Sequence, residues 1–159
     1  MPFHVDLLNA SPGIECRSPG ATGTVGVDYK ILFSFVNNVT SCGSASTGSL
    51  SSGPGSNQCT VDLTRVANQQ YVTVALNNVL DSQTNTGNIS ATMGVLLGDV
   101  NATLRVDAQD VTQVRQNNFA PLTQDPPIFR NDVDVSGRID GTDVTTTRQQ
   151  NFTKLPTPP

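Results

Sequence analysis

Apolar and polar residues alternate along several stretches of the first 97 residues of this chain. In the clearest stretch, VDYKILFSFV, one side of the chain would carry Tyr29, Ile31, Phe33 and Phe35. The alternating stretches are 27–36, 58–63 and 71–76, while 88–97 is a further apolar-rich run and 3–8 a weaker one. A period of two residues is that of a strand with one buried face, and Gly-, Pro- and Asn-rich turns separate the stretches. The pattern predicts an antiparallel, Ig-like β-sandwich over residues 1–97.

A duplicated segment follows, in which the strand alternation stops. The stretch GDVNATLRVDAQDVTQVRQNNF (98–119) aligns with NDVDVSGRIDGTDVTTTRQQNF (131–152) at a constant offset of 33 residues. Identical residues recur throughout, from the pair Asp99 and Asp132 to the pair Phe119 and Phe152. An alignment that keeps its register over this length indicates an internal duplication.

Oxygen-bearing residues recur within each copy at the spacing of a twelve-residue cation loop, positions 1, 3, 5, 7, 9 and 12. In loop 1 (residues 99–110) these are Asp99, Asn101, Thr103, the carbonyl of Arg105, Asp107 and Asp110. In loop 2 (residues 132–143) they are Asp132, Asp134, Ser136, the carbonyl of Arg138, Asp140 and Asp143. The alternative for one such loop is a solvated, Asp-rich turn. Two loops in one register favour two bound Ca²⁺ ions, since Mg²⁺ demands a stricter octahedral geometry.

The two loops differ at position 6, where a left-handed backbone is needed. Loop 2 has Gly137 there, which adopts that backbone freely, and loop 1 has Leu104, which would be strained by about 1–2 kcal/mol. We therefore expect loop 2 to bind calcium more tightly than loop 1. Position 8 is apolar in both copies (Val106 and Ile139), and we expect these two residues to form a short β contact with each other.

A helix is predicted after each loop. The segments DVTQVRQNNF and DVTTTRQQNF both begin with an Asp that suits a helix N-cap or first turn. The core of this part of the chain would be thin. Its expected members are Val106, Val111, Val114, Phe119, Ile128, Ile139, Val144 and Phe152. So small a core predicts that the metal is needed for folding.

The duplicated residues resemble the two repeats of a type I dockerin, whose usual form is G-D-x-N-x-D-G-x-V-x-x-x-D followed by a helix. The resemblance covers residues 98–155. The whole chain also resembles an arrangement of domains in large secreted bacterial proteins. The dockerin resemblance implies a small α-helical module with two EF-hand-like calcium loops, which docks onto a cohesin-like β-sandwich protein on a scaffold or cell surface.

The same resemblance implies a recognition surface at loop positions 10 and 11 and on the following helix. The matching residues are Ala108, Gln109, Arg115 and Gln116 in the first repeat, and Gly141, Thr142, Arg148 and Gln149 in the second. The similarity of the two copies would allow binding in two orientations. The predicted domains are the sandwich (1–97), the dockerin-like module (98–155) and a proline-rich tail (156–159). Because MGVLL leads through Gly98 into Asp99 without a linker, we expect the module to pack on the sandwich; the alternative is a hinge at Gly98.

Three cysteines bear on the cellular compartment. Cys42 and Cys59 flank a Gly/Ser-rich loop, and a disulfide there would stabilise the fold by about 3 kcal/mol in the loop-entropy model. The alternative is three buried thiols. The disulfide is favoured because the Ser-, Thr- and Asn-rich composition is typical of proteins outside the cytoplasm. Cys16 is then left over, and we expect it to be buried and inert.

Composition and charge exclude several classes of partner. Only 14% of the residues are charged and the formal net charge is −4, so there is no basic patch for a nucleic acid. No apolar run approaches the roughly 20 residues that span a bilayer, so we expect no membrane insertion. The start MPFHVDLLNA lacks the features of a signal peptide. We expect a monomeric fragment of a larger bacterial chain that is secreted or held at the cell surface.

Catalysis is not expected, because His4 is the only histidine and no nucleophile–base arrangement is present. Seven of the 13 acidic residues lie in the two loops, and two divalent cations would change the formal charge from −4 to 0. The sequence leaves three functions open. One is calcium-dependent docking, and another is a calcium-stabilised structural or stalk unit. The third is a carbohydrate-binding sandwich joined to a dockerin, which the absence of Trp disfavours.

Overall fold

The computed structural model describes residues 4–7, 13–19 and 26–158. The strands, in chain order, are β1 (Gly13–Glu15), β2 (Val27–Ser34), β3 (Val39–Ser41), β4 (Ser44–Ala45), β5 (Ser49–Ser52), β6 (Gln58–Val66), β7 (Gln70–Asp81) and β8 (Thr86–Val95). The helices are α1 (Ala108–Gln116) and α2 (Gly141–Gln149), with a 3-10 turn at Ile128–Asn131. In the part of the chain so described, no helix is long and apolar enough to cross a membrane.

The strands form two sheets. One has the order β1-β8-β7-β3, with β4 also paired to β7, and the other has the order β2-β6-β5. The pairings of β2, β3, β4 and β5 are antiparallel, whereas β1 lies parallel to β8. This confirms the prediction of a mostly β chain and is consistent with a β-sandwich.

The predicted alternation is present where β2 pairs with β6. Ile31 lies opposite Val61 and Phe33 lies opposite Cys59, and all four side chains are buried. The intervening residues of β2 face solvent, as for Leu32, which is 46% exposed. One buried face is therefore what fixes the register of these two strands.

The contacts divide the described chain into two units. The loop unit comprises residues 4–7, 13–19, 67–72 and 92–158, and the strand unit comprises residues 26–66 and 73–91. Residues 13–19 and 92–97, which the sequence places in the sandwich, thus belong with the two predicted cation loops. The chain passes from one unit to the other within β7 and again within β8.

Several segments for which the sequence predicts turns are strands. The Gly/Ser-rich stretch between Cys42 and Cys59 contains β4 and β5, and the two cysteines form a disulfide. Leu50 of β5 lies opposite Val61, so this polar stretch still supplies an apolar residue to the pairing. The predicted turn at 77–88 is largely strand, since only residues 82–85 separate β7 from β8. The predicted weak strand at 3–8 is absent at residues 4–7; residues 3 and 8 lie outside the described chain.

Asp81 holds the turn between β7 and β8. Its carboxylate accepts hydrogen bonds from the side-chain amides of Asn37 (2.8 Å) and Asn85 (2.9 Å). It also accepts from the main-chain N–H groups of Gln83 (2.9 Å) and Asn85 (2.8 Å). These bonds, above all those from the two asparagine side chains, lower the pKa of Asp81 to about 2. The ionised acid therefore holds this turn together.

Candidate metal centre

Each loop folds around the carboxylate of its first residue. Asp132 accepts hydrogen bonds from the N–H groups of Ser136 (2.9 Å) and Gly137 (3.0 Å). Asp99 accepts the equivalent bonds from Thr103 and Leu104, both at 2.9 Å. These two hydrogen bonds are thus the same in both loops, although the loops differ in sequence at positions 5 and 6.

The last residue of each loop ties the start of the loop to the start of the helix. Asp143 accepts hydrogen bonds from the N–H groups of Val133 (2.7 Å), Asp134 (3.2 Å) and Asp140 (2.8 Å). Asp110 accepts from Asn101 (3.2 Å) and Asp107 (2.9 Å) in the same way.

Three carboxylates converge in loop 2. Asp132, Asp134 and Asp143 each offer an oxygen, and these oxygens all lie within 4.8 Å of one another. Asp132 is 4% exposed and Asp143 is fully buried. Carboxylates this close repel each other when ionised, and a shared cation relieves that repulsion. This acidic triad, defined by these three residues, could hold a metal ion.

Loop 1 brings together fewer acids and more neutral oxygens. Asp99 and Asp110 are fully buried, and the hydroxyl of Thr103 donates to the side-chain oxygen of Asn101 at 2.8 Å. The same hydroxyl lies 3.3 Å from the carbonyl of Arg105. In loop 2 the hydroxyl of Ser136 lies 3.2 Å from the carbonyl of Arg138. The oxygens predicted at positions 5 and 7 are therefore adjacent in both loops.

The acid at position 9 of each loop caps the helix that follows. Asp107 and Asp140 are the N-caps of α1 and α2, and each forms a capping box with the acid at position 12. Each also pairs with the arginine at position 7, at 2.9 Å from Arg105 and from Arg138. The N–H of Thr142 lowers the pKa of Asp140. The acids predicted as ligands at position 9 thus lie outside the triad and are engaged with the helix ends.

Burial disfavours the ionised form of the acids at positions 1 and 12 of each loop. It raises the pKa of Asp99 to about 6, and it raises the pKa of Asp110, Asp132 and Asp143 as well. A divalent ion beside these carboxylates would favour the ionised form and offset that cost. The donors are carboxylate, hydroxyl, amide and carbonyl oxygens, without histidine or cysteine. Such a donor set suits a hard cation.

The backbone of the two loops passes through the left-handed region at the same positions. At position 4, Ala102 has a φ of 57° and Val135 a φ of 58°. At position 6, Leu104 has a φ of 70° and Gly137 a φ of 90°. A branched residue such as valine rarely adopts such a backbone, so the loop must hold Val135 there.

Main-chain hydrogen bonds join each loop to the segment that follows the other loop's helix. The N–H of Phe152 donates to the carbonyl of Val106, and the N–H of Val106 donates to the carbonyl of Thr153, both at 2.9 Å. The N–H of Phe119 donates to the carbonyl of Ile139 at 2.9 Å. The expected β contact between Val106 and Ile139 is therefore wrong, because both main-chain groups of Val106 pair with the segment after α2.

Phe119 and Phe152 do not belong to the core, contrary to the sequence-based expectation. They are 79% and 88% exposed, and both have a left-handed backbone, with φ values of 63° and 72°. The chain turns at each phenylalanine to reach the other loop, which leaves the ring outside. The buried core around the loops consists instead of two clusters. Their members are Ile14, Cys16, Leu96, Leu97, Val100, Val106, Val114, Val133, Ile139 and Leu155.

The core around the loops also includes residues from the start of the chain. Ile14 and Cys16 come from the N-terminal segment, and Cys16 is a buried free thiol, as expected. Burial raises the pKa of Cys16 to about 11. The alternation of apolar Ile14 and Cys16 was the available signal, but turn residues on both sides of this short stretch concealed it.

The residues that the dockerin resemblance assigns to partner binding are all exposed. They are Ala108, Gln109, Arg115, Gln116, Gly141, Thr142, Arg148 and Gln149. They lie on α1 and α2 and form two equivalent sets. Comparison with protein-family models, with curated proteins and with solved structures finds no match to this chain.

Proposed function

We propose that this chain is a non-catalytic calcium-binding module that holds one ion in each of its two loops. The observation that carries the proposal is the acidic triad of Asp132, Asp134 and Asp143, whose oxygens lie within 4.8 Å of one another, with Asp132 and Asp143 buried. Loop 1 repeats the same hydrogen bonds around Asp99, which supports a second, weaker site.

Calcium is favoured over other cations by the kind and number of oxygens available. Each loop offers carboxylates at positions 1 and 12, a side-chain oxygen at positions 3 and 5, and a carbonyl at position 7. Calcium accepts six to eight such oxygens in an irregular arrangement, whereas magnesium requires a near-ideal octahedron. The disulfide between Cys42 and Cys59 is compatible with an extracellular protein, where calcium is abundant.

Calorimetric titration of the calcium-stripped protein tests this proposal. We expect two ions per chain, with Asp132→Ala removing the tighter phase and Asp99→Ala removing the weaker one. Asp62→Ala, which changes an exposed acid of β6 paired to Lys30, serves as the control and should leave both phases intact. A wild-type chain that releases no binding heat and shows no bound calcium by elemental analysis would contradict the proposal.

A second candidate function is calcium-dependent docking onto a cohesin-like β-sandwich protein. The observation that favours it is the exposure of Phe119 and Phe152 at equivalent positions of the two repeats. Large aromatic rings held outside the core are typical anchors of protein interfaces. Each ring follows a helix that carries one of the two exposed sets of candidate partner residues. The repeat supports a surface that a single receptor could engage in two orientations.

Pull-down with purified cohesin-type β-sandwich domains, in calcium and in EGTA, tests docking. We expect capture only in calcium, and its loss in a Phe119→Ala/Phe152→Ala variant. A Leu32→Ala/Val36→Ala variant removes two other exposed apolar side chains, which are 46% and 101% exposed, and should retain capture. Calcium binding without capture of any such domain would favour the alternative, a structural unit whose loops pack only within their own chain.

A further inference from the structure

Arg130 is a buried cation that lies between the two loops in the chain. It is 8% exposed and belongs to the 3-10 turn directly before loop 2. Its guanidinium donates three hydrogen bonds, all to main-chain carbonyls. The acceptors are Val100 (2.8 Å, from Nε), Ile14 (2.8 Å, from Nη1) and Asp99 (2.9 Å, from Nη2).

Two of these carbonyls belong to the first residues of loop 1. The Asp99 side chain is the first predicted ligand of that loop, so Arg130 fixes the main chain from which this ligand projects. The main chain of Arg130 leads two residues later into Asp132, the first predicted ligand of loop 2. The N–H of Asp132 donates to the carbonyl of Phe129 at 3.2 Å. One residue thus links the entries of both loops.

The N-terminal segment 14–18 makes a second link between the same two entries. The carbonyl of Cys16 accepts a hydrogen bond from Gly98, directly before loop 1, at 2.9 Å. The N–H of Ser18 donates to the carbonyl of Val133, the second residue of loop 2, at 2.8 Å. The Cys16 thiol in turn donates to the carbonyl of Arg130 at 3.5 Å.

We infer that Arg130, braced by segment 14–18, couples the two cation sites, so that an ion in one loop raises the affinity of the other. The inference rests on the proposed calcium binding. An ion that orders one loop also fixes Arg130 and the segment beside it. The second loop then loses less conformational entropy when it binds its own ion. Arginine suits this position because its planar group donates to each acceptor from a separate nitrogen, whereas lysine would have to donate from a single nitrogen.

Site-resolved calcium titration by NMR measures the coupling. The N–H groups of Leu104 and Gly137 donate to the first carboxylate of their own loops and so report loops 1 and 2 separately. We expect Asp99→Asn, which disables loop 1, to weaken calcium binding at Gly137 by about tenfold, within the usual range of coupling between sites.

The same comparison in an Arg130→Met background identifies the coupling residue. There, adding Asp99→Asn should change calcium binding at Gly137 by less than about twofold. Arg65→Met replaces an exposed arginine of β6 and serves as the matched control, in which the tenfold effect should persist. Arg130→Lys keeps the charge but fewer of the three hydrogen bonds, so an intermediate effect is expected.

Each outcome decides between distinct alternatives. Equal effects of Asp99→Asn in the wild-type and Arg130→Met backgrounds, or no effect in the wild type, would overturn the coupling while leaving calcium binding intact. A wild-type protein whose Leu104 and Gly137 signals do not respond to calcium would instead refute the proposed function. If Arg130→Met does not fold in calcium, the Arg130→Lys variant tests the inference instead. A full tenfold effect of Asp99→Asn on calcium binding at Gly137 in that variant would show that the three hydrogen bonds are not required.

Discussion

Position 6 of the two loops shows how a single residue bears on the backbone of a loop. Leu104 and Gly137 share a left-handed backbone, with φ values of 70° and 90°. Only glycine adopts that backbone without a steric cost, which is about 1–2 kcal/mol for other residues. The side chain of Leu104 packs against a buried cluster, and this contact offsets part of its cost.

Adding a methyl group at Gly137 isolates the backbone cost. Nothing lies within 4 Å of the added carbon, so Gly137→Ala introduces strain without a clash. We expect the free energy of unfolding of the calcium-loaded protein to fall by about 1–2 kcal/mol, measured by denaturant titration. Gly87→Ala is the control, since that glycine also has open space but no left-handed backbone. Equal midpoints for the two variants would contradict this prediction.

The lowered pKa of Asp81 predicts that the stability of the fold depends on pH. Its pKa is lowered to about 2 by the hydrogen bonds from Asn85 and Asn37, against about 3.9 in an unfolded chain. A lowered pKa means that the ionised form stabilises the fold above pH 4, and that this contribution is lost as the pH falls through 2. In EGTA, Asp81→Asn should therefore lower the melting temperature of the strand unit at pH 6, and the difference from wild type should close near pH 2. A difference that is constant over this range would show that charge is not the cause.

Among the elements, α1 and α2 are short helices that depend on their first residues. Each has nine residues and is rich in Val and Thr or Gln, which gives a weak tendency to form a helix. Asp107 and Asp140 cap them, and Asp110 and Asp143 complete the capping boxes. Because Asp110 and Asp143 are also loop acids, helix and loop share one carboxylate in each repeat.

Loss of a cap should therefore weaken the fold even when calcium is bound. Asp140→Ala removes the acceptor for the N–H of Thr142, and such changes cost about 0.5–2 kcal/mol. We expect a matching loss of unfolding free energy in saturating calcium, measured by chemical denaturation. Asp140→Ser keeps an oxygen acceptor and should recover most of the loss. If the serine variant is as unstable as the alanine variant, the ion pair with Arg138 rather than the cap is what matters.

The elements with a local signal were predictable from the sequence. The alternation in β2 and β6 and the register of the repeat both follow from side-chain chemistry within the segment itself. The structure contains these strands and a helix that begins in the last three residues of each loop. The triad of loop 2 lies at positions that the spacing of its acids had already marked. These features could be predicted because the residues that carry each signal are close together in the sequence.

Other features depend on partners distant in sequence. β1 is a strand because residues 13–15 pair with residues 93–95, and nothing in its own three residues requires this. Phe119 and Phe152 have large apolar side chains of the kind usually found in a core. Their main chain nevertheless pairs with the opposite loop, and the rings remain exposed. Arg130 has no sequence signal, because its three acceptors are carbonyl groups that any residue could provide.

At the scale of the whole molecule, the loop unit is assembled from separate parts of the chain. Its core combines Ile14 with Leu96 and Leu155, whose positions in the sequence span most of the chain. Calcium binding should therefore depend on residues far from the loops. A fragment of residues 98–155 would lack this part of the core, so the proposed binding belongs to the assembled unit.

Ile14→Ala tests this dependence. Ile14 is 1% exposed, and truncation of a buried isoleucine costs about 2–5 kcal/mol. We expect a lower melting temperature of the calcium-loaded protein and a weaker apparent affinity for calcium, measured by calorimetry. Leu32→Ala removes a side chain that is 46% exposed and should change neither by much. An Ile14→Ala variant that binds calcium like wild type would mean that the loops fold without the N-terminal segment.

The reactivity of the buried Cys16 thiol should report whether the loops hold ions. The other two cysteines form a disulfide, so alkylating reagents have one target, which is shielded by the hydrophobic cluster between the loops. Modification must await an opening of that cluster, and its rate then measures how often the cluster opens. Iodoacetamide labelling should be slow in calcium and fast in EGTA, so that mass spectrometry of the native chain reads ion occupancy without an engineered probe.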